Sequence, residues 1–262
     1  MNSAAGEIAH AFVDARRSWH SITAYPGSPP ADLETAYRIQ DEAISIWERP
    51  IGGWKVGKIN PPASVDLGAN RLIGPVFEDA IQYEHAAGNT FRIFDGGFAA
   101  VEAEFMLRIA PTVGRLPRDP LEAMEWVDDV RIGIEVASSP YAQINADGPC
   151  VTVSDHGNNA GLLIGKQVEK ADWAKLDDIA ISLDIDGQEV GRATTATMLD
   201  GPFGAVCFLL RNLEDRQIRP EGGWWISSGA ITGVHEIASG SVATAHFAGI
   251  GIIGARIKTD PI

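Results

Sequence analysis

The segment Ala99-Ala-Val-Glu-Ala-Glu-Phe-Met-Leu-Arg-Ile109 carries two carboxylates at i and i+2 in a stretch of strong β character. Side chains on a strand alternate faces, so Glu102 and Glu104 share one side while Val101, Ala103 and Phe105 share the other. Two like charges at that spacing repel unless a cation lies between them. An all-oxygen donor set suits Mg²⁺, Mn²⁺ or Ca²⁺; a solvated strand face carrying the same pair needs no metal. A third carboxylate, Glu135, stands in Arg131-Ile-Gly-Ile-Glu-Val-Ala137, on the face opposite Ile132, Ile134 and Val136. A glutamate among small residues inside an apolar strand calls for a partner. Arg131 or an edge-strand position is the plain choice, and a metal shared with Glu102 and Glu104 is the other.

Three further segments carry polar groups amid apolar sequence. Lys55 lies in Gly52-Gly-Trp-Lys-Val-Gly-Lys58 between Trp54 and Val56. Burial there pulls a lysine toward neutrality and proton-transfer work, whereas a facing carboxylate keeps it charged. An edge-strand surface position is the plain alternative, and it suits Lys58 better. Val153-Ser-Asp-His-Gly-Asn-Asn-Ala-Gly161 gathers Asp155, His156 and Asn158, either for catalysis or as turn residues that satisfy their own backbone. Gly229-Ala-Ile-Thr232 follows an apolar run and offers the Thr232 hydroxyl and backbone N–H groups to a ligand. His235, close behind, reads as structural.

These residues need a scaffold, and the sequence predicts one. Helices are expected over 4–18 and 31–48, the second with apolar residues at a 3.6 period behind Asp32 as a cap. Later helices are expected over 119–127 and 203–214. From residue 52 the texture changes to short apolar runs punctuated by glycine and proline. Strands are expected over 54–59, 81–83, 90–94, 99–109, 130–137, 161–165, 179–185, 188–193, 223–228, 241–247 and 251–257. Asp186-Gly187 between alternating runs signals a two-residue hairpin. The organisation is a helical portion over 1–50 and a β-rich body over 51–262 with no linker composition between them.

Composition narrows the function classes. The chain has 262 residues, enough for a sizeable core without staples. Lys and Arg number 21 against 35 Asp and Glu, a net charge of −14. That leaves no basic footprint for nucleic acid and no attraction to an anionic membrane. No run of 18 uninterrupted apolar residues occurs. Cys150 and Cys207 are isolated, which supports neither a zinc ribbon nor a disulfide framework and fits a reducing compartment. With a start that makes a poor signal peptide, a cytoplasmic protein is expected.

Taken in order, G-x-K-V-G near residue 55, V-E-A-E-F at 101–105, I-E-V at 134–136, D-x-x-x-N-A-G at 155–161 and S-G-A-I-T at 228–232 resemble one family. It is the hydratase/decarboxylase branch of the fumarylacetoacetate hydrolase superfamily, which includes 2-keto-4-pentenoate hydratase and 4-oxalocrotonate decarboxylase. A-Y-x-I-Q at 36–40 belongs to the same resemblance, which runs from about Ala31 to the C-terminus.

The resemblance implies an α+β fold, a mixed β-roll like the C-terminal part of fumarylacetoacetase with a helical N-terminal portion. It implies Mg²⁺ or Mn²⁺ on Glu102, Glu104 and Glu135, catalysis by Lys55 and an acid/base or orienting role for Asp155; Thr232, Ser139, Asn158 and His156 are the candidate substrate contacts. The expected substrate is a small 2-keto or 2-hydroxydienoic acid from meta-cleavage of aromatic compounds, and the expected assembly is a homo-oligomer. A Lewis-acidic metal that stabilises the enolate serves hydration, decarboxylation and C–C hydrolysis alike. Hydration is the first expectation and decarboxylation the second; a non-catalytic, keto-acid-binding partner of an active paralogue is a reading of another class. Three positions depart from the family pattern: Leu72 replaces an acid, Pro140 an arginine and Gly201 a histidine. These departures are expected to cluster at the substrate tail.

Overall fold

The computed structural model describes residues 4–111 and 115–261. Two N-terminal helices come first, α1 (Ala4–Ser18) and α2 (Leu33–Trp47). Asp32 caps α2, its Oδ1 accepting the Thr35 N–H at 2.7 Å. On α1 the buried face runs through Ile8, Phe12 and Arg16, one turn apart each time. The two helices share an apolar cluster with Phe77, Tyr141, Ile144 and Val151, so the helical portion packs onto the β-rich body.

The body contains two sheets. The larger comprises β1 (Ile51–Lys58), β2 (Arg71–Phe77), β3 (Ile81–Tyr83), β5 (Phe98–Ile109), β6 (Val127–Ser139), β7 (Asn159–Gln167), β10 (Trp225–Ser227) and β11 (His235–Glu236). Its order is β2-β1-β10-β5-β6-β7-β3, with β11 also on β5. The smaller sheet comprises β4 (Asn89–Arg92), β8 (Ala180–Ile185), β9 (Gln188–Thr194), β12 (Val242–Phe247) and β13 (Gly251–Lys258), in the order β4-β13-β12-β8-β9. Both sheets mix parallel and antiparallel pairs. Short helices α3 (Ala63–Asp66), α4 (Pro120–Ala123) and α5 (Pro149–Ser154) and the longer α6 (Gly201–Asp215) complete the mixed α+β architecture. No helix among the described residues is long and apolar enough to cross a membrane.

Alternation along β5 divides its residues between two environments. Val101, Ala103, Phe105 and Leu107 enter the main core, where Phe105 meets Phe247 of the smaller sheet edge-on at 5.3 Å. A fully buried phenylalanine contributes about 1.5–3 kcal/mol. The opposite face carries Glu102, Glu104 and Met106, all buried. The apolar face thus anchors the strand that presents the carboxylates.

The expected elements formed with shifted ends. Residues 119–127 divide into α4, a 3₁₀ turn over Met124–Trp126 and the start of β6. Residues 203–214 extend back to Gly201, with Pro202 in the first turn of α6. Asp186 and Gly187 take φ of 53° and 79°, as the β8–β9 hairpin requires. Strand β2 escaped the sequence reading because Gly74-Pro75 reads as a turn. Proline is tolerated there because β2 is the edge of the sheet.

Candidate metal centre and its cavity

Glu102 of β5 pairs directly with Glu135 of β6, and Glu104 pairs with Gly133. Like charges opposite one another destabilise a sheet unless compensated. Here ligand oxygens of Glu102, Glu104 and Glu135 lie within 4.8 Å of one another, all three residues buried. Arg131, the alternative partner for Glu135, bonds Asp129 instead.

The compensation comes from β1 and β10. Lys55 is 4% exposed, and its Nζ lies 2.8 Å from Glu135 Oε1 and 3.9 Å from Glu102 Oε1. It also donates to Asn158 Oδ1 at 3.1 Å. Asn159 donates to Glu135 Oε1 at 2.9 Å, and the Ser227 hydroxyl lies between the Oε2 atoms of Glu104 and Glu135. The Gly229 N–H donates to Glu104 Oε2 at 2.7 Å.

Ser227 and Gly229 sit where β5 changes neighbour. β10 pairs with Met106–Arg108 and β11 with Ala100 and Val101, leaving the positions between them to the intervening loop. That loop wraps β5 through Ser228 N–H to Phe105 carbonyl and Ile231 N–H to Ala103 carbonyl. His235 Nε2 lies 2.9 Å from the Thr232 carbonyl and ties the loop down.

The charges set the protonation states. Burial opposes the Lys55 ammonium, but Glu135 and Glu102 outweigh it, so its pKa stands above the ordinary lysine range. Of the two alternatives for a buried lysine here, the facing carboxylates select the charged one. Burial pushes the Glu102 carboxyl up to about 7 against the pull of Lys55. Burial, then Glu135 and Glu102, raise Glu104 well above the carboxylate range.

The residues fit a divalent cation. Glu104 Oε1 is buried with no hydrogen-bond partner, which is costly for a charged oxygen. Once all three are ionised, three carboxylates against one ammonium leave a charge of −2, which one divalent ion balances. Carboxylate oxygens are the donors that Mg²⁺ and Mn²⁺ prefer.

A cavity of about 660 Å³ opens beside this cluster, lined by Lys55, Glu102, Leu72, Arg71, Asn158 and Thr232 among others. The Thr232 hydroxyl is buried without a partner. Lys55, Asn158, Thr232 and Glu102 thus line one cavity, with Glu104 and Glu135 clustered beside Glu102.

Asp155, His156 and Ser139 do not join them. Asp155 is fully buried and held by Arg16, whose Nη2 donates to Oδ2 at 2.9 Å; the same guanidinium also bonds the carbonyls of Asn159 and Ser138. An acid clamped in this way is a structural ion pair. His156 packs edge-on against Trp47 and Phe77, and burial holds its imidazole down to about 3. The Ser139 hydroxyl accepts the Tyr141 N–H. Of the three departures, Leu72 lines the cavity, whereas Pro140 and Gly201 do not. Pro140 instead accepts the Ile22 N–H, and Gly201 begins α6.

Arg16 was missed by the sequence reading. Its signal is a cation continuing the Ile8–Phe12 stripe of α1. Breaking this buried pair by Arg16→Met should cost about 3–5 kcal/mol in a denaturant melt. If Asp155→Asn instead leaves the melt unchanged and lowers only kcat, Asp155 acts in the chemistry after all.

Asn158 owes its position to a strained turn. His156, Gly157 and Asn158 all have left-handed φ, at 54°, 63° and 57°. Each non-glycine residue there costs about 1–2 kcal/mol. The turn presses against β2, where a Cβ on Gly74 would lie 2.1 Å from the His156 carbonyl oxygen. Gly74→Ala should therefore destabilise by about 1–3 kcal/mol and lower kcat by shifting the acceptor of Lys55. Wild-type melting and kcat together would disprove this coupling.

No protein-family model matches the sequence, and no curated protein matches it. Solved structures do match. The 4-oxalocrotonate decarboxylase from Pseudomonas putida G7, complexed with magnesium and adipate, aligns over 97% of both chains with a TM-score of 0.80 and 19% identity. Fumarylpyruvate hydrolase from Pseudomonas aeruginosa, in complex with Mn²⁺ and pyruvate, aligns over 79% of this chain and 89% of its own, with a TM-score of 0.58 and 16% identity. A 2-hydroxyhepta-2,4-diene-1,7-dioate isomerase from Mycobacterium marinum aligns over 80% of this chain and 76% of its own, with a TM-score of 0.56 and 19% identity. At these identities the likeness is one of fold: this chain's mixed α+β architecture is shared along nearly its whole length with the decarboxylase and along about 80% of its length with the other two.

Proposed function

We propose that the chain is a divalent-metal-dependent lyase acting on a small 2-keto or 2-hydroxydienoic acid, with Glu102, Glu104 and Glu135 as metal ligands and Mg²⁺ or Mn²⁺ as the ion. The observation that carries this reading is Lys55: a buried ammonium 2.8 Å from one of three converging carboxylates, opening onto the cavity that Glu102 also lines. When bound, the divalent ion supplies Lewis acidity to the keto acid. Lys55 stabilises negative charge developing on the substrate and carries a proton to it. Asn158 fixes the ammonium through Oδ1, and the Thr232 hydroxyl is free to hydrogen-bond a substrate carboxylate. Val56, Leu72 and Ile231 form apolar wall around the reacting carbons. In this reading residues 51–262 are the catalytic unit and residues 1–50 a helical portion that delivers Arg16.

Release of CO₂ now stands ahead of water addition. Hydration calls for a second acid–base group, and Asp155, the expected one, is clamped by Arg16. Decarboxylation needs an electron sink and one proton carrier. The likeness along 97% of both chains to a decarboxylase, against about 80% of this chain for the hydrolase and the isomerase, supports the same choice. Turnover of 2-oxohex-3-enedioate with CO₂ release, dependent on added Mg²⁺, is the expected result. Hydration of 2-hydroxypenta-2,4-dienoate would restore the other lyase reading. Ligand binding without turnover of either would point to a non-catalytic binding protein.

A further inference from the structure

A second cavity, of about 470 Å³, shares no lining residue with the first. Its wall holds four guanidiniums, those of Arg16, Arg17, Arg49 and Arg92. Arg16 is neutralised by Asp155 and Arg49 by Asp79. Arg17 and Arg92 donate only to the neutral backbone carbonyls of Ile46 and Thr259, and neither forms an ion pair among the described residues. Two uncompensated positive charges therefore face one cavity in a chain of net charge −14.

The remaining wall is largely aromatic. Arg92 lies over the Trp19 ring at 4.1 Å, and Trp19 stacks on Phe94 at 4.8 Å. Arg17 and Arg49 lie over Trp47 at 5.6 and 5.2 Å. His156, 2% exposed, also lines the cavity, and its Nε2 is buried without a hydrogen-bond partner. A buried polar atom left unpaired at a cavity wall lacks a group to meet it. The volume is in the range of small-molecule sites. Guanidinium forks match a carboxylate in two parallel bonds, and flat rings beside them favour a flat apolar body.

We propose that this cavity is a second ligand site, for an aromatic carboxylate, with Arg17 and Arg92 meeting the carboxylate, the aromatic wall enclosing the ring, and His156 Nε2 supplying a further polar contact. The site does not depend on the proposed lyase activity. Asn159 belongs to its wall and also donates to Glu135 Oε1, so an occupant would touch a residue that orients a carboxylate of the metal centre.

The test is titration of the full chain with benzoate in excess EDTA, read by calorimetry and tryptophan fluorescence. Saturable binding at one site per chain is expected, with quenching from Trp19 and Trp47. Arg92→Met and Arg17→Met should each weaken it at least about tenfold, the size of one charge-assisted hydrogen bond. Arg92→Lys, which keeps the charge and loses the fork, should bind with intermediate affinity. Lys55→Met, at the other cavity, should leave benzoate affinity unchanged. Absence of saturable binding, equal affinity for inorganic phosphate, or an affinity unmoved by either arginine variant would overturn the proposal. So would sedimentation showing an assembly whose dissociation exposes Trp19 to a soluble quencher, since the cavity would then be a contact between copies.

Discussion

Lys55→Met lowers kcat by at least ~10²-fold, the lower range for a general acid–base group, while affinity for the divalent ion does not fall. The side chain keeps its length and loses its charge and proton. Three acidic ligands and a keto acid bring more negative charge than one divalent ion offsets, and Lys55 is the cation within 4 Å of Glu135 and Glu102. Removing it removes stabilisation of charge that grows during the reaction, so the loss falls on kcat. Metal affinity survives because the lysine repels the ion. The measurement is kcat and KM at saturating Mg²⁺ beside a metal titration by calorimetry. A raised KM with unchanged kcat would reduce Lys55 to a substrate anchor, and proton transfer would need another carrier in the cavity.

Metal-free protein loses stability as pH rises from about 4.5 towards about 7, and divalent ions restore it. The sign follows from Glu102, whose carboxyl in the folded chain is raised to about 7 from an ordinary 4.5. The folded state then holds a proton that the unfolded chain releases, so this stabilisation is complete below the unfolded value and lost as pH passes through the folded one. Glu104 is raised in the same direction by burial and by its two neighbours. At neutral pH a cation replaces the missing protons. At one hundred times its Kd, Mg²⁺ or Mn²⁺ stabilises by about 2.7 kcal/mol, or about 5–10 °C in Tm for a chain of this size. Glu104→Gln should abolish the metal-induced shift and flatten the pH dependence in EDTA. A full shift in that variant would place the metal elsewhere.

How far the sequence reveals this site depends on how local each constraint is. The strand period puts Glu102 and Glu104 on one face without knowledge of the fold, because alternation is a property of the backbone. Glu135 on its own face follows in the same way. The pairing of Glu102 with Glu135 depends on the register between β5 and β6 and is not a local property. Asp155, His156 and Asn158 are separated by at most three positions, yet they serve an ion pair, an aromatic packing site and the lysine. Three successive left-handed residues send the chain in directions that a motif does not encode. Arg16 lies 139 positions from Asp155, and its partner is invisible until α1 is docked. Strand β2 was hidden by Gly74-Pro75, where edge position overrides composition.

The order of strands also dictates the order of assembly during synthesis. β1, which bears Lys55, lies between β2 and β10, and β10 separates it from β5. The nascent chain has Lys55 early, but its far-side neighbour arrives only with Trp225–Ser227. At ordinary ribosomal rates that interval is about 10–30 s. Until then the β1–β2 ribbon presents an unpaired edge rich in apolar side chains, the kind of edge that recruits foreign strands. A premature stop before Trp225 would leave all three glutamates synthesised and the lysine unplaced. Such a product is destined for chaperones or aggregation, since β10, made about 170 residues after β1, joins the lysine strand to the glutamate strand.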